Sequence, residues 1–206
     1  MPEILHLNNQ NLELKVWKIK ENIDFFVRKL PADLAELPSQ IETRNLEWLA
    51  SRFLLSQLVN QPIVRKTETR KPVMMNDDRY ISISHTFDIA SVMVCTHTCG
   101  VDIEKDLPRI RTIAKKFVSE SDLNTIEKSD YQLKLYQIWC AKEAMYKAYG
   151  FGGIDFRQHL FVDLETLIKG EDSFDGELIK DDVHLRFKLK YISLNKEYHL
   201  VYAIQQ

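Results

Sequence analysis

Trp139-Cys140-Ala141-Lys142-Glu143-Ala144-Met145-Tyr146-Lys147 is the stretch whose reading decides the fold. It lies inside a run from Asp130 to Tyr149 that is predicted to be one helix. Asp130 suits an N-cap, and Gly150 suits the position just past the C-terminus, where the backbone turns left-handed. On that helix Trp139, Glu143 and Lys147 fall at i, i+4 and i+8 and form one stripe. A Glu followed by a Lys at this spacing also occurs as an exposed pair worth about 0.3 kcal/mol, which is the bland reading. The tryptophan on the same stripe favours a face turned toward protein or ligand rather than bulk water.

Working outward, Phe151-Gly152-Gly153 reads as a loop, and the chain from Leu160 onward is strand-like. Val183 to Ile192 and Tyr198 to Ile204 resemble a hairpin. Upstream, segments from about Arg111 to Val118 and from Ser121 to Lys128 read as helices. Tyr80 to Ser84, Ile89 to Cys95 and Gly100 to Glu104 read as strands with short connections. Leu12-Glu13-Leu14-Lys15-Val16-Trp17 alternates apolar and polar, the pattern of a strand with one buried face. Ser39 and Glu42 have capping-box spacing, and the apolar positions from Ile41 to Val59 then recur at helical intervals until Asn60-Gln61-Pro62 ends them. Arg44, Trp48 and Arg52 share one side of that helix. Strands and helices in this mixed order imply an α+β fold.

Composition narrows the function. Hydrophobic residues make up 45% and charged residues 28% of the 206 positions, the balance of a chain that can pack a core rather than stay disordered. A formal net charge of −2 gives no basic field for nucleic acid. Apolar runs such as Val92-Met93-Val94-Cys95 fall far short of the ~20 residues a bilayer span needs, so no membrane is expected. The N-terminal stretch lacks a basic segment followed by an apolar one. Three cysteines without a small-domain disulfide pattern suit a reducing compartment, and cytoplasmic is the expectation.

Three constellations carry chemistry. In Gly100-Val101-Asp102-Ile103-Glu104, residues two apart on a strand share a face, so Asp102 and Glu104 present adjacent carboxylates. Their repulsion is relieved by a divalent cation, although Asp-x-Glu more commonly marks a solvated strand face. The helical stripe is the second. The third is Ser82-Ile83-Ser84-His85-Thr86, where a strand-end histidine among hydroxyls could bond a phosphate oxygen or simply close a turn. Cys95-Thr96-His97-Thr98-Cys99 invites a zinc reading, but single-residue spacing without a clear fourth ligand argues for core or turn positions. Basic clusters at Arg65-Lys66, Arg70-Lys71, Arg109, Arg111 and Lys115-Lys116 fit either a solvated surface or docking to an acidic partner helix.

Taken together, Ser84-His85, Gly100 to Glu104 and Trp139 to Lys147 resemble the 4′-phosphopantetheinyl transferase superfamily, in order and gaps its surfactin-synthetase-activating (Sfp-like), monomeric branch. Lys71-Pro72, Arg52 and Ile113-Ala114-Lys115-Lys116-Phe117 support this, so the resemblance spans about residues 44 to 150. Arg70 departs from it, standing where a glycine usually precedes Lys-Pro; so does Cys99, where an aliphatic residue is usual. The resemblance implies a pseudo-dimeric α+β fold of two similar α/β halves, 1–100 and 101–206, with the active site in the cleft between them.

The resemblance also implies an activity, namely Mg2+-dependent transfer of the 4′-phosphopantetheine group from coenzyme A to a serine of an apo acyl or peptidyl carrier protein. Fatty acid, polyketide or nonribosomal peptide biosynthesis would be served. Asp102, Glu104 and Glu143 would hold the metal. Glu143 would take the serine proton, directly or through a metal-bound water, and Lys147 would neutralise the departing phosphate. Arg52, Lys71, Ser84 and His85 would grip the coenzyme's phosphates, and Lys142 would be a phosphate or a structural contact. Two other classes remain: a non-catalytic relative that binds coenzyme A or carrier protein, and another Mg2+-dependent enzyme that cleaves nucleotide pyrophosphates.

Overall fold

The computed structural model describes residues 2–126 and 128–206. The chain separates into two compact units between Thr96 and His97, four residues before the expected join at Gly100. Both are antiparallel sheets carrying helices, so the mixed α/β character expected from the sequence holds.

In the first unit the strands are β1 (Glu3–Asn8), β2 (Leu12–Lys18), β3 (Val64–Lys66), β4 (Pro72–Met74), β5 (Tyr80–Thr86) and β6 (Ile89–Cys95). They form a four-stranded sheet in the order β1-β2-β6-β5 and a small ribbon, β3-β4. Helix α2 (Glu42–Leu58) packs on it, and helix α1 (Ile23–Lys29) packs on α2. β6 is buried throughout, as a central strand with apolar residues at nearly every position must be. The core joins Leu49, Leu54 and Leu55 of α2 to Val92 and Val94 of β6, and Phe53 packs edge-on against Trp17, Phe25 and Phe26.

The second unit holds β7 (Cys99–Lys105), α3 (Ile110–Ile113), a 3₁₀ turn (Ala114–Lys116), α4 (Glu120–Thr125), α5 (Tyr131–Tyr149), β8 (Leu160–Val162), α6 (Leu164–Ile168), β9 (Ser173–Lys180), β10 (Val183–Leu194) and β11 (Tyr198–Gln205). The sheet order is β7-β11-β10-β9-β8, all antiparallel, and α5 lies across it, chiefly on β7 and β11.

Several expectations are corrected. The capping box does not form: Ser39 Oγ accepts from Ile41 N at 3.1 Å, while Asn45 in the first turn of α2 brackets Ser39 by accepting from its N at 3.1 Å and donating to its O at 2.8 Å. A short loop-local bond to the serine outcompetes the cap. The stretch from Arg111 to Val118 is one turn of α-helix and a 3₁₀ turn. The helix expected from Ser121 to Lys128 starts at Glu120 under a Ser119 cap and stops at Thr125; position 127 within that expected stretch lies outside the described residues. The sequence gives no sign of β1, α1, β3, β4 or α6. No helix among the described residues is long and apolar enough to cross a membrane.

Gly100 marks the tightest join in the second unit. A Cβ added there would sit 1.9 Å from Ala144 O and 2.9 Å from Ala148 N, so the β7 backbone rests directly on α5 at a glycine facing two alanines. Gly100→Ala is therefore expected to force strand and helix apart, costing about 3 kcal/mol or more; chemical denaturation with a large drop in midpoint is the check.

Candidate active site

α5 ends where expected, with Gly150 left-handed at φ 75° and its N–H donating to Tyr146 O. Its Trp139–Glu143–Lys147 stripe faces β7. Because Gly100, Asp102 and Glu104 alternate onto one side of the strand, the glycine that admits the helix also lays both carboxylates beneath the stripe.

The contacts are specific. Lys147 Nζ donates to Asp102 Oδ1 at 2.7 Å and to Val101 O at 3.1 Å. Trp139 Nε1 donates to Glu104 Oε1 at 3.2 Å, and Arg109 Nη2 lies 3.8 Å from the other Glu104 oxygen. Asp102 is 5% exposed. Cys140, on the same helix, is buried, and its thiol is pushed well up by burial and by Asp102 and Glu104. Glu143 sits between the two anchored ends of the stripe and interacts electrostatically with Asp102, Glu104 and Lys147. Burial, then the neighbouring Asp102, push its carboxyl up to about 7, against the pull of Lys147. Glu104 is raised for the same two reasons, opposed by the Trp139 hydrogen bond, Arg109 and Lys147. Three acids thus share a poorly solvated seam with one ammonium.

Of the two roles expected for Lys142, a phosphate or a structural contact, its bonds in this structure are of the structural kind. It is 6% exposed, and its Nζ donates to Phe117 O at 2.8 Å and Phe156 O at 2.6 Å. Desolvation lowers its pKa to about 8. It also borders a cavity of 430 Å³ shared with Val118, Ile138, Arg157 and Phe161 and lined by none of the three acids.

The residues expected at the coenzyme phosphates belong to the first unit. Arg52 is 6% exposed on α2, with its guanidinium 3.7 Å from the centre of the Trp48 ring. Among the described residues no acceptor bonds it, and burial lowers its pKa to about 10. Lys66 Nζ approaches the same indole at 5.1 Å. His85 Nδ1 lies 3.1 Å from Glu47 Oε2, a partner the sequence did not suggest. Ser84 is buried in β5, its carbonyl accepting from Ser91 Oγ at 3.1 Å. Lys71 closes the turn before β4, its N donating to Thr67 Oγ1 and its O accepting from Thr67 N. Arg70 in that turn has φ 67°. A left-handed backbone there explains why glycine is the natural occupant and why Arg carries a strain of about 1 kcal/mol.

The cysteine-flanked segment from Cys95 to Cys99 holds two buried cysteines that are in no disulfide, and among the described residues no three His, Cys, Asp or Glu form a preformed metal cage.

The raised Glu143 has a sign that can be worked out. Its folded pKa exceeds the unfolded value of 4.5, so the folded state holds the proton more tightly, and stability falls as pH climbs from that value to about 7. Below it the acid is neutral in both states. Ligand-free Glu143→Gln should therefore match wild type near pH 4 and exceed it near pH 8, which urea titrations at the two pH values would read.

The sequence pattern of the 4′-phosphopantetheinyl transferase superfamily matches residues 98–203, just over half of the chain and the unit that holds Asp102, Glu104, Glu143 and Lys147. No curated protein matches the chain. With β7 and α5 carrying the acids of that matched region, the chain belongs to the 4′-phosphopantetheinyl transferase superfamily.

Proposed function

We propose that this chain moves the 4′-phosphopantetheine group of coenzyme A onto a serine hydroxyl of an apo acyl or peptidyl carrier protein, in the manner of the surfactin-synthetase-activating (Sfp-like) branch. The observation that carries the reading is the meeting of Asp102 and Glu104 from β7 with the Glu143–Lys147 stripe of α5, inside the matched region. In the reaction the serine oxygen bonds the β-phosphorus of the coenzyme, the bond to the departing phosphate oxygen breaks, and adenosine 3′,5′-bisphosphate leaves.

The donor set suits Mg2+. Burial and the repulsion of neighbouring carboxylates raise the pKa of both glutamates; a hard cation removes that penalty. Mg2+ takes few protein carboxylates and completes its shell with water and substrate phosphates, so a preformed cage is not required. Asp102, Glu104 and Glu143 would hold it, and it would spread the charge that gathers on the phosphoryl oxygens.

The chain's own groups do the rest. Glu143 is the candidate to accept the serine proton, directly or through water. Lys147 lies against Asp102 and supplies a cation at the point where the leaving phosphate becomes more negative. Arg52 provides a second cation. Desolvation already disfavours its charge, and a coenzyme phosphate is an anion of the right charge and geometry for a planar fork.

The test is to incubate the protein with apo-carrier, coenzyme A and Mg2+, then weigh the intact carrier. A gain of one phosphopantetheine group supports the reading. Free phosphopantetheine with an unmodified carrier would point to a pyrophosphate-cleaving enzyme, and binding without either product to a non-catalytic relative. Glu143→Gln is expected to lower the rate by about 10²-fold or more while its circular dichroism stays native; near-normal turnover would remove Glu143 from the chemistry.

Arg52→Met separates function from stability. Replacing a cation that desolvation disfavours by an apolar chain of similar length should stabilise the ligand-free protein by about 1 kcal/mol. Calorimetry should show the higher unfolding midpoint, and titration with coenzyme A should show weaker binding.

A further inference from the structure

Lys142 lies one residue before Glu143, yet its ammonium is turned into main chain. Its Nζ donates to the carbonyls of Phe117 and Phe156. An ammonium has three protons, and two of them are committed to these bonds. The two carbonyls belong to separate segments: Phe117 follows the 3₁₀ turn, and Phe156 lies in the loop beyond Gly150.

The side chains of those two residues converge again. Phe117 packs on Trp139 with ring centres 5.0 Å apart at 62°, and Phe156 packs on it at 5.6 Å and 36°. Tyr146 supports Phe156 at 5.6 Å. Trp139 is three residues before Lys142 on α5, so lysine and indole hold the same two segments from neighbouring positions of one helix. The indole in turn donates to Glu104 Oε1 at 3.2 Å. Contacts therefore run without a break from the Lys142 ammonium, through two carbonyls and two phenyl rings, to one of the site carboxylates.

We propose that Lys142 is a positioning residue: by tethering the Phe117 and Phe156 backbones it fixes the rings that hold the Trp139 indole, and through that indole it orients Glu104. This rests on the proposed function, since Glu104 matters only if the carboxylates work there. It replaces a phosphate contact, which would need the lysine to abandon both carbonyls, the buried one of Phe117 and the part-buried one of Phe156. Each orphaned carbonyl would cost about 1–3 kcal/mol. Losing the support of a ligand carboxylate typically lowers metal affinity or activity by about 10–100-fold, which sets the size of effect expected.

The experiment uses the full-length, 15N-labelled protein free of substrate and metal. The chain has three tryptophans, so three indole N–H signals appear, and Trp139→Phe identifies the one of interest. In Lys142→Met, with native circular dichroism, that signal should shift, and its N–H should exchange with solvent about tenfold faster or more. The signals of Trp17 and Trp48 should stay put. Lys142→Arg, which keeps the donors, should restore much of the protection. In the transfer assay Lys142→Met should raise the Mg2+ concentration needed for half-maximal rate while leaving coenzyme A binding unchanged.

An unshifted, still protected Trp139 indole in Lys142→Met overturns the proposal. So does a defect confined to coenzyme A affinity, which would mark Lys142 as a phosphate ligand. Should Lys142→Met fail to fold, Phe156→Ala removes one ring from a half-buried loop position while keeping the lysine. It must give the same loss of indole protection, and an unmoved signal there overturns the proposal equally. If wild type proves inactive in transfer, the proposed function fails while the indole measurement still reports on the tether.

Discussion

The second unit is organised by how closely a strand can approach a helix. Where β7 passes beneath α5 there is no room for a side chain: a methyl at Gly100 would overlap the carbonyl of Ala144. Two small helix residues, Ala144 and Ala148, meet the glycine backbone to backbone, and everything beside this point is placed by it. Two and four residues along β7 come Asp102 and Glu104, pointing the same way. One residue before Ala144 and three after it come Glu143 and Lys147. Dispersion between close-packed main chains contributes to stability, but the larger effect is geometric, because it sets where four charged groups end up.

That placement is electrostatically unfavourable by itself. Burial and mutual repulsion keep Glu104 and Glu143 from ionising as readily as free carboxylates. One ammonium from Lys147 and an indole N–H offset only part of it. Strongly perturbed carboxylates of this kind cluster at functional sites, although structural ion-pair networks also produce them. Arg52 in the first unit has the opposite sign and a similar predicament, a cation inside the protein with an aromatic ring as its closest support.

Much of this was legible in the sequence because the controlling features are periodic or local. The stripe on α5 follows from spacing alone, the shared face of Asp102 and Glu104 from alternation, and the end of α5 from Gly150. The hairpin of β10 and β11 is visible from its alternating pattern. What sequence did not disclose depends on distant contacts or on competition between nearly equal local choices. Ser39 has the spacing of a cap, but Asn45 takes it into a loop. Lys142 looks like one more cation in a basic motif, and only the fold shows two carbonyls waiting for it. Glu47, the partner of His85, lies on a different element with no sequence signal joining the two. Gly100 could have been suspected, since glycine inside a strand pattern often marks a close backbone approach, but its partner could not.

The buried cysteines have a chemical consequence. Cys95, Cys99 and Cys140 are buried within the two units and joined in no disulfide, and the thiol of Cys140 is held in its protonated, unreactive form by burial and by the acids around it. Oxidants and electrophiles attack the thiolate, so these sulfurs stay inert for as long as the sheets stay closed. Damage to them is governed by how often the structure opens, and each sulfur that reacts does so only after the seam around it has already parted.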